Sequence, residues 1–182
     1  MRWLTFYILL YFMTALHNSR FGGIPQASGN GGDIWPIIEY LPLLAIFYAM
    51  YASESAAPLA ALVCGLAYDL YEFEFIGTSL IPLALVGWMI VRIRLSIFRE
   101  HFISQVVITL LGVLAFAFLS VLLRRLLGAP LQGRSMWTHF SVHAGNALYT
   151  AIVAPFIFYI FFRFHHVLGF TSHGPRSRPH GY

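Results

Sequence analysis

The chain has 182 residues, of which 59% are apolar and only 10% are charged, and its mean hydropathy is +0.73. Soluble domains are usually about 45–50% apolar and about 25% charged. A soluble fold of this size has too little interior to hide so much apolar surface, because a large share of any small domain stays exposed. The composition therefore indicates a membrane protein, in which lipid takes the place of water.

The net charge of +4 comes from eleven Arg residues and no Lys. These residues are spread between apolar runs and form no basic stripe, which argues against nucleic-acid binding and favours contacts with lipid headgroups. The lone Cys64 lies within an apolar run, where it has no partner for an internal disulfide and too few neighbours for a metal site. We expect neither a metal nor a cofactor.

Apolar runs that are candidates for membrane-spanning helices occur six times along the chain. In chain order they cover residues 3–16, 34–52, 56–71, 75–91, 102–123 and 140–162. No small-x-small cleavage site follows the first run, so we expect a retained helix rather than a signal peptide. In the second run, Pro36 is expected to open the helix and Pro42 to kink it. The sequence thus predicts an all-α, polytopic membrane helix bundle of about six transmembrane helices.

Residues 1–170 are predicted to form a single transmembrane domain, because no segment between the runs is long enough for a second one. The tail at 171–182 is rich in Gly, Pro and Arg, and is predicted to be a disordered cytoplasmic segment. With six spans and a cytoplasmic N-terminus, seven Arg residues fall on the inside and four on the outside. The positive-inside rule therefore favours two cytoplasmic termini.

Two acidic residues lie within apolar runs, Glu39 in the second and Asp69 in the third. A charge at the centre of a membrane span costs roughly 2.5–3.5 kcal/mol on insertion scales. Both side chains would avoid this cost at interface depth, in contact with headgroups or water. The alternative is that they face the bundle interior and pair with an Arg or a backbone N–H group.

A stripe of small residues leads to Asp69 in the third run. Ala57, Ala61, Gly65 and Asp69 repeat every four residues and so share one helix face. Small residues at this spacing let two helices approach closely. The stripe predicts a packing face, used either within the chain or against a partner.

The sixth run carries a second stripe, made of Asn146, Thr150 and Ala154. Asn and Thr side chains donate and accept hydrogen bonds across helices. The nearby pair His139 and His143 is spaced for one helix face, but no Glu joins it as in the H-E-x-x-H motif. The second stripe is therefore interpreted as another packing face and the His pair as an interface feature.

Catalytic chemistry is not indicated. Asp69 follows Tyr68, as in one half of an intramembrane aspartyl protease, but that chemistry requires two carboxylates that share a proton. The only other aspartate, Asp33, lies in a Gly-rich loop. We expect no enzymatic activity.

One stretch resembles a known family. From residue 65 it reads Gly-Leu-Ala-Tyr-Asp-Leu, followed by a short acidic turn and then, from Gly77, Gly-Thr-Ser-Leu-Ile-Pro-Leu. Arg92 and Arg94 close the next helix. This pattern, with the chain length, the number of spans and the Asn in the last helix, resembles the bacterial rod shape-determining MreD family. The chain departs from the family at Pro42, because no acid follows it as in the Pro-Asp-Leu-type element common there.

The resemblance implies a bundle similar to the substrate-binding subunits of energy-coupling-factor transporters. It also implies a non-catalytic scaffold of the cell-elongation machinery, which synthesises peptidoglycan, in the bacterial inner membrane. The implied partners are a bitopic MreC-type protein, MreB filaments, the RodA–penicillin-binding-protein synthase and membrane lipid. In this interpretation Gly65, Asp69 and Gly77 are structural, while Arg92 and Arg94 are cytoplasmic anchors.

An alternative function stays open at the sequence level. Glu39, Asp69 and Asn146 are polar groups within spans, and such groups line ligand pockets in membrane proteins. The chain would then be a small-molecule-binding subunit of a transporter.

Overall fold

The computed structural model describes residues 3–18, 37–72, 76–94, 102–128 and 136–163, and in these ranges it contains helices and no strands. The helices in chain order are α1 Trp3–Asn18, α2 Tyr40–Tyr51, α3 Ala56–Glu72, α4 Leu80–Ile93, α5 Phe102–Leu126 and α6 Met136–Arg163. The prediction of an all-α bundle is confirmed. The predicted disordered tail at 171–182 lies outside the described residues, and the single-domain boundary stays a prediction.

Helix α2 is the centre of the bundle. It contacts each of the other five helices, and every residue from Tyr40 to Met50 is buried. A helix that is apolar all round is expected to be enclosed by others. Phe47 and Tyr48 supply much of the core volume and contact aromatic rings from α6 and α1, respectively.

Two helical segments, Phe102–Leu126 and His143–Arg163, are long and apolar enough to cross a membrane. The other four helices are apolar but shorter, with 10–17 residues each. A helix of 17 residues is about 25 Å long, compared with a hydrocarbon core of about 30 Å. Length alone therefore identifies two spanning helices, and the remaining four fall below that criterion.

The second and fourth helices begin later than the sequence predicts. Helix α2 starts at Tyr40, after non-helical residues at 37–39, and its first turn is closed by Leu43 N–H bonding to the Glu39 carbonyl at 3.1 Å. Pro42 lies in that first turn, where a missing N–H group costs no intrahelical bond. The predicted kink at Pro42 is therefore wrong.

The bundle has two ends, which are named here after the residues that cap them. At the Arg94 end, the end of α4 meets the end of α2 through hydrogen bonds from Arg94 to α2. At the Asp69 end, the last turn of α3 meets the first turn of α4. Helix α2 runs from the Asp69 end, where Glu39 precedes it, to the Arg94 end.

Candidate functional site

The turn between α3 and α4 is organised by a single carboxylate. Asp69 is 1% exposed, and its Oδ1 accepts hydrogen bonds from Ser79 N at 2.7 Å and Thr78 Oγ1 at 3.2 Å. Its Oδ2 accepts from Gly77 N at 2.6 Å and Leu80 N at 3.2 Å. We call these five residues the Asp69 corner. Both oxygens are fully used as acceptors, and the bonds are of the stronger, charge-assisted kind.

This arrangement caps α4 from another helix. The first N–H groups of any helix have no partner within it and need an external acceptor. Ser79 is at the N-cap position of α4, yet its side chain makes no capping bond. Asp69, ten residues earlier in the chain, supplies the acceptor instead, and so ties the end of α3 to the start of α4.

Gly77 gives the corner its backbone conformation. Its φ angle is +111°, in a region that side chains disfavour and Gly enters readily. In this conformation its N–H group reaches the Asp69 carboxylate. The Gly-x-x-x-Asp and Gly-x-x-x-Leu elements noted in the sequence therefore meet in one structural unit.

The stripe of small residues on α3 packs against α4. A Cβ atom at Gly65 would lie only 2.6 Å from the Cα atom of Leu80, and one at Gly87 would lie 2.6 Å from the Cβ atom of Ala61. The backbones of the two helices therefore approach as closely as Gly allows. Ala57 and Ala61 are fully buried. Of the two alternatives left open by the sequence, the structure brings the Ala61–Gly65 part of the stripe against the same chain.

A second buried acid lies just before α2. Glu39 is 2% exposed, and its Oε1 contacts His143 Nδ1 at 3.0 Å and Asn146 Nδ2 at 3.5 Å. Thr150 Oγ1 accepts a hydrogen bond from Glu39 N at 3.0 Å, and Asn146 Oδ1 accepts one from Ile37 N at 2.9 Å. We call Glu39, His143, Asn146 and Thr150 the Glu39 cluster.

The α6 side chains of the cluster hold non-helical backbone in place. Residues 37–39 are not helical, so their N–H groups lack intrahelical acceptors. In a membrane such backbone is tolerated only where protein groups satisfy it. Asn146 and Thr150 do so for Ile37 and Glu39, which gives the second stripe a specific structural task.

Both acids thus face the bundle interior, and Asp69 pairs with backbone N–H groups, as the second alternative expects. Sequence reasoning missed that Glu39 and His143 contact each other. The available signal was the spacing of His143, Asn146 and Thr150, which places His143 on the same α6 face as the other two. Nothing local to Glu39 indicated which helix would meet it.

The two Arg residues at the end of α4 have different surroundings. Arg94 is 6% exposed, and its guanidinium donates to the carbonyl of Ala49 at 3.2 Å and to that of Ala52. It caps the C-terminus of α2, a contact the sequence did not predict. Arg92 is exposed and lies 5.4 Å from the centroid of the Trp88 ring. The anchoring role assigned to both stays a prediction.

In the described ranges, no three His, Cys, Asp or Glu side chains lie close enough together to hold a metal ion. The side chain of His139 lies outside the described residues, while that of His143 contacts Glu39. Asp33, the second aspartate, also lies outside them. The described residues therefore offer two buried carboxylates, Asp69 and Glu39, which differ in their hydrogen-bond partners.

Comparison with known proteins identifies the family. The model of the family described as rod shape-determining protein MreD matches residues 1–167. No curated protein and no solved structure matches the chain. The matched range contains the Asp69 corner, the Glu39 cluster and the six helices of the described residues. The chain belongs to the MreD family of rod shape-determining membrane proteins.

Proposed function

We propose that this protein is a non-catalytic scaffold of the cell-elongation machinery in the bacterial inner membrane, where it helps to direct peptidoglycan synthesis. The observation that carries the proposal is the match to the MreD family over residues 1–167. Depletion of the protein in its rod-shaped host is expected to produce round cells. Unchanged cell shape and wall growth would contradict the proposal.

The absence of catalysis is supported by the way Asp69 is used. A general acid or base must exchange a proton with its substrate and needs a free position at the carboxylate. Asp69 accepts four hydrogen bonds from the chain itself. A carboxylate engaged in this way suits a structural task, namely holding α3 and α4 as one unit.

The proposed scaffold docks a bitopic partner such as MreC, with MreB filaments and the RodA–penicillin-binding-protein synthase as direct or indirect partners. Because α4 fills the stripe at Ala61 and Gly65, a partner helix must use another surface. Exposed apolar side chains are present on α1, including Tyr11 at 79% exposed, and on α5, including Leu111 at 61%. These are the surfaces that a docking experiment should sample.

Photo-crosslinking from native membranes tests the docking proposal. A photoreactive residue at Tyr11 or Leu111 is expected to capture a bitopic wall-synthesis protein from at least one position. The matched control carries the same group at buried Leu44, which is 0% exposed. Capture from neither exposed position, or equal capture from the buried one, would contradict docking through these faces.

We further propose a multi-pass topology with both termini cytoplasmic. Ring contacts support the idea that the start of α1 and the end of α6 lie near the C-terminal half of α2. Phe6 and Tyr48 have centroids 4.9 Å apart, and Tyr51 and Phe162 have centroids 4.5 Å apart. Reporter fusions at the two ends of the chain should report the same compartment; opposite compartments would contradict this topology.

A small-molecule-binding subunit of a transporter is the second candidate. The observation in its favour is that Glu39 and Asn146 share one buried cluster, although Asp69 belongs to a different one. Mass spectrometry of the purified protein should then detect a co-purified metabolite that is lost in Glu39→Gln. Its absence would leave the scaffold as the better-supported function.

A further inference from the structure

An apolar groove lies between α4 and α5 on the outside of the bundle. Its floor is formed by the buried side chains of Val86, Ile90 and Ile108, and its rim includes the exposed side chains of Met89 and Leu111. The groove has a volume of about 140 Å³, close to the roughly 150 Å³ of an apolar cavity that stays dry and binds benzene. Its size and lining therefore suit a hydrocarbon group.

The groove occupies one half of the membrane thickness. Helix α5 is long and apolar enough to cross a membrane, and the groove extends along it from Val107, near the start of the helix, to Ala115, near its middle. On α4 it extends from Val86 to Arg94, which corresponds to about 12 Å along the helix axis. Because half of the hydrocarbon core is about 15 Å thick, the groove matches the acyl chain of a lipid in one leaflet.

A transmembrane helix of a partner fits the groove less well. Such a helix is about 10–12 Å across with its side chains, and it needs a contact face over most of the roughly 30 Å of the hydrocarbon core. The groove ends at Ala115, about halfway along α5, and has the volume of a site for a small hydrocarbon. A single acyl chain is therefore the better match in length and in width.

Positive charges at the Arg94 end of the groove favour an anionic headgroup. Arg94 lines the groove at this end, and Arg92 is exposed in the same last turn of α4. Arg163 ends α6 at this end of the bundle. Glu54, in the turn after α2, is the one acidic side chain at this end in the ranges that the structure describes. Basic sites between transmembrane helices bind the headgroups of anionic lipids.

We propose that the α4–α5 groove binds one anionic phospholipid, with an acyl chain along the groove and the phosphate beside Arg92 at the Arg94 end. Every phospholipid offers an acyl chain, so the preference for a negative headgroup is the specific claim. The bound lipid would fill the gap between α4 and α5. The site requires no docked protein, so its failure would leave the scaffold proposal intact.

Photolabelling of the full chain in vesicles tests the position of the lipid. The vesicles consist of phosphatidylcholine with a small fraction of phosphatidylglycerol that carries a photoactivatable acyl chain. We expect the label to concentrate at Met89 and Leu111 and to be reduced by unlabelled phosphatidylglycerol but not by more phosphatidylcholine. Labelling in simple proportion to exposure, with Tyr11 on α1 labelled as strongly, would overturn the proposal. A groove closed by a second copy of the chain would give no label there, and that result would also overturn it.

A variant that fills the groove assigns the label to it. Ala115 is partly buried and lines the groove, so Ala115→Phe should place a ring where the acyl chain lies and reduce labelling at Met89 at least fivefold. Ala15→Phe is the matched control, because Ala15 is exposed on α1, which does not contribute to the groove. Equal labelling of Met89 in the two variants would refute the site.

A second variant tests the headgroup and leaves the apolar lining unchanged. Native mass spectrometry of the detergent-solubilised chain measures the affinity for added phosphatidylglycerol and phosphatidylcholine. Arg92→Gln should weaken phosphatidylglycerol binding about fivefold, as expected for the loss of one Arg near an anionic headgroup. Arg125→Gln is the matched control, because Arg125 is also exposed in a last helical turn but lies at the far end of α5. Equal affinities of the unmodified chain for the two lipids, or an unchanged preference in Arg92→Gln, would contradict the proposal.

Discussion

The Asp69 corner and the Glu39 cluster contain the same kind of group in the same kind of surroundings, yet they satisfy it differently. Asp69 receives four hydrogen bonds, three of them from backbone N–H groups. Glu39 receives contacts at one oxygen only, all from side chains of a distant helix. A buried carboxylate thus serves as a fixed helix cap when backbone donors surround it, and keeps an oxygen without a hydrogen-bond partner when they do not.

The largest expected effect comes from replacing each of the two acids with its isosteric amide and comparing the losses of stability. Asp69→Asn places an NH₂ group against N–H donors at one oxygen position, and we expect a loss of at least about 3 kcal/mol in the free energy of unfolding. Glu39→Gln keeps an acceptor toward His143 and puts its NH₂ group at the Oε2 position, where no donor lies in the described part of the chain, so we expect a loss below about 1 kcal/mol. Folded yield and unfolding midpoints measure both. Equal losses of stability would contradict the view that Asp69 is fully hydrogen-bonded and Glu39 only partly.

At the Arg94 end of the bundle, a helix cap is made by a cation, Arg94, instead of a carboxylate. Arg94→Leu removes the donors to the carbonyls of Ala49 and Ala52, and we expect it to cost about 1.5–3 kcal/mol, as for hydrogen bonds to charged groups. Arg92→Leu is the control, because Arg92 is exposed and lies over the Trp88 ring, so its replacement should cost at most about 1 kcal/mol. Thermal unfolding in one detergent measures both variants. A larger loss for Arg92 would mean that its anchoring role outweighs the cap.

Helices α3 and α4 approach each other so closely beside the Asp69 corner that we expect no room for an added methyl group. Gly65→Ala would bring its Cβ to 2.6 Å from the Leu80 backbone, and such overpacking typically costs about 1–3 kcal/mol. Gly145→Ala is the matched control in α6, since a Cβ there meets nothing within 4 Å and Ala is the better helix former by up to about 1 kcal/mol. Unfolding midpoints should therefore move in opposite directions. A stabilised Gly65→Ala would show that there is more room between α3 and α4 than the structure gives.

The smallest expected effect concerns the hydroxyl that supports the Glu39 cluster. Thr150→Val removes the acceptor for Glu39 N, and we expect it to cost about 1–2 kcal/mol. Thr109→Val is a matched control, because the buried Thr109 hydroxyl has no partner among the described residues and its removal should be neutral or stabilising. The difference between the two midpoints isolates the hydrogen bond. A zero difference would indicate that water replaces the Thr150 contact.

Much of the Asp69 corner was open to prediction, because its parts lie within 15 residues of one another in the chain. The four-residue repeat placed Ala57, Ala61 and Gly65 on one face of α3, and the short connection forced α4 to return along it. What the sequence left undecided was whether that face meets the same chain or a partner. The answer depends on the close contact between Gly65 and Leu80, which is a property of how two helices pack.

The Glu39 cluster was not open to prediction in the same way. Glu39 and His143 are 104 residues apart, and no local pattern records which helix lies opposite the start of α2. The late start of α2 at Tyr40 was missed for the same reason, since apolar residues continue upstream and give no sign that the backbone there is held by Asn146 and Thr150.

The sequence by itself determined that this protein is a bundle of apolar helices, which faces of α3 and α6 would pack, and that the α3–α4 unit resembles the MreD family. Apolar periodicity and short-range spacing carry that information, because they depend only on the geometry of one helix at a time. The tertiary structure alone decided which buried acid is saturated and which keeps a free oxygen. That outcome depends on the rotation and depth of each helix relative to its neighbours, to which every residue of the core contributes.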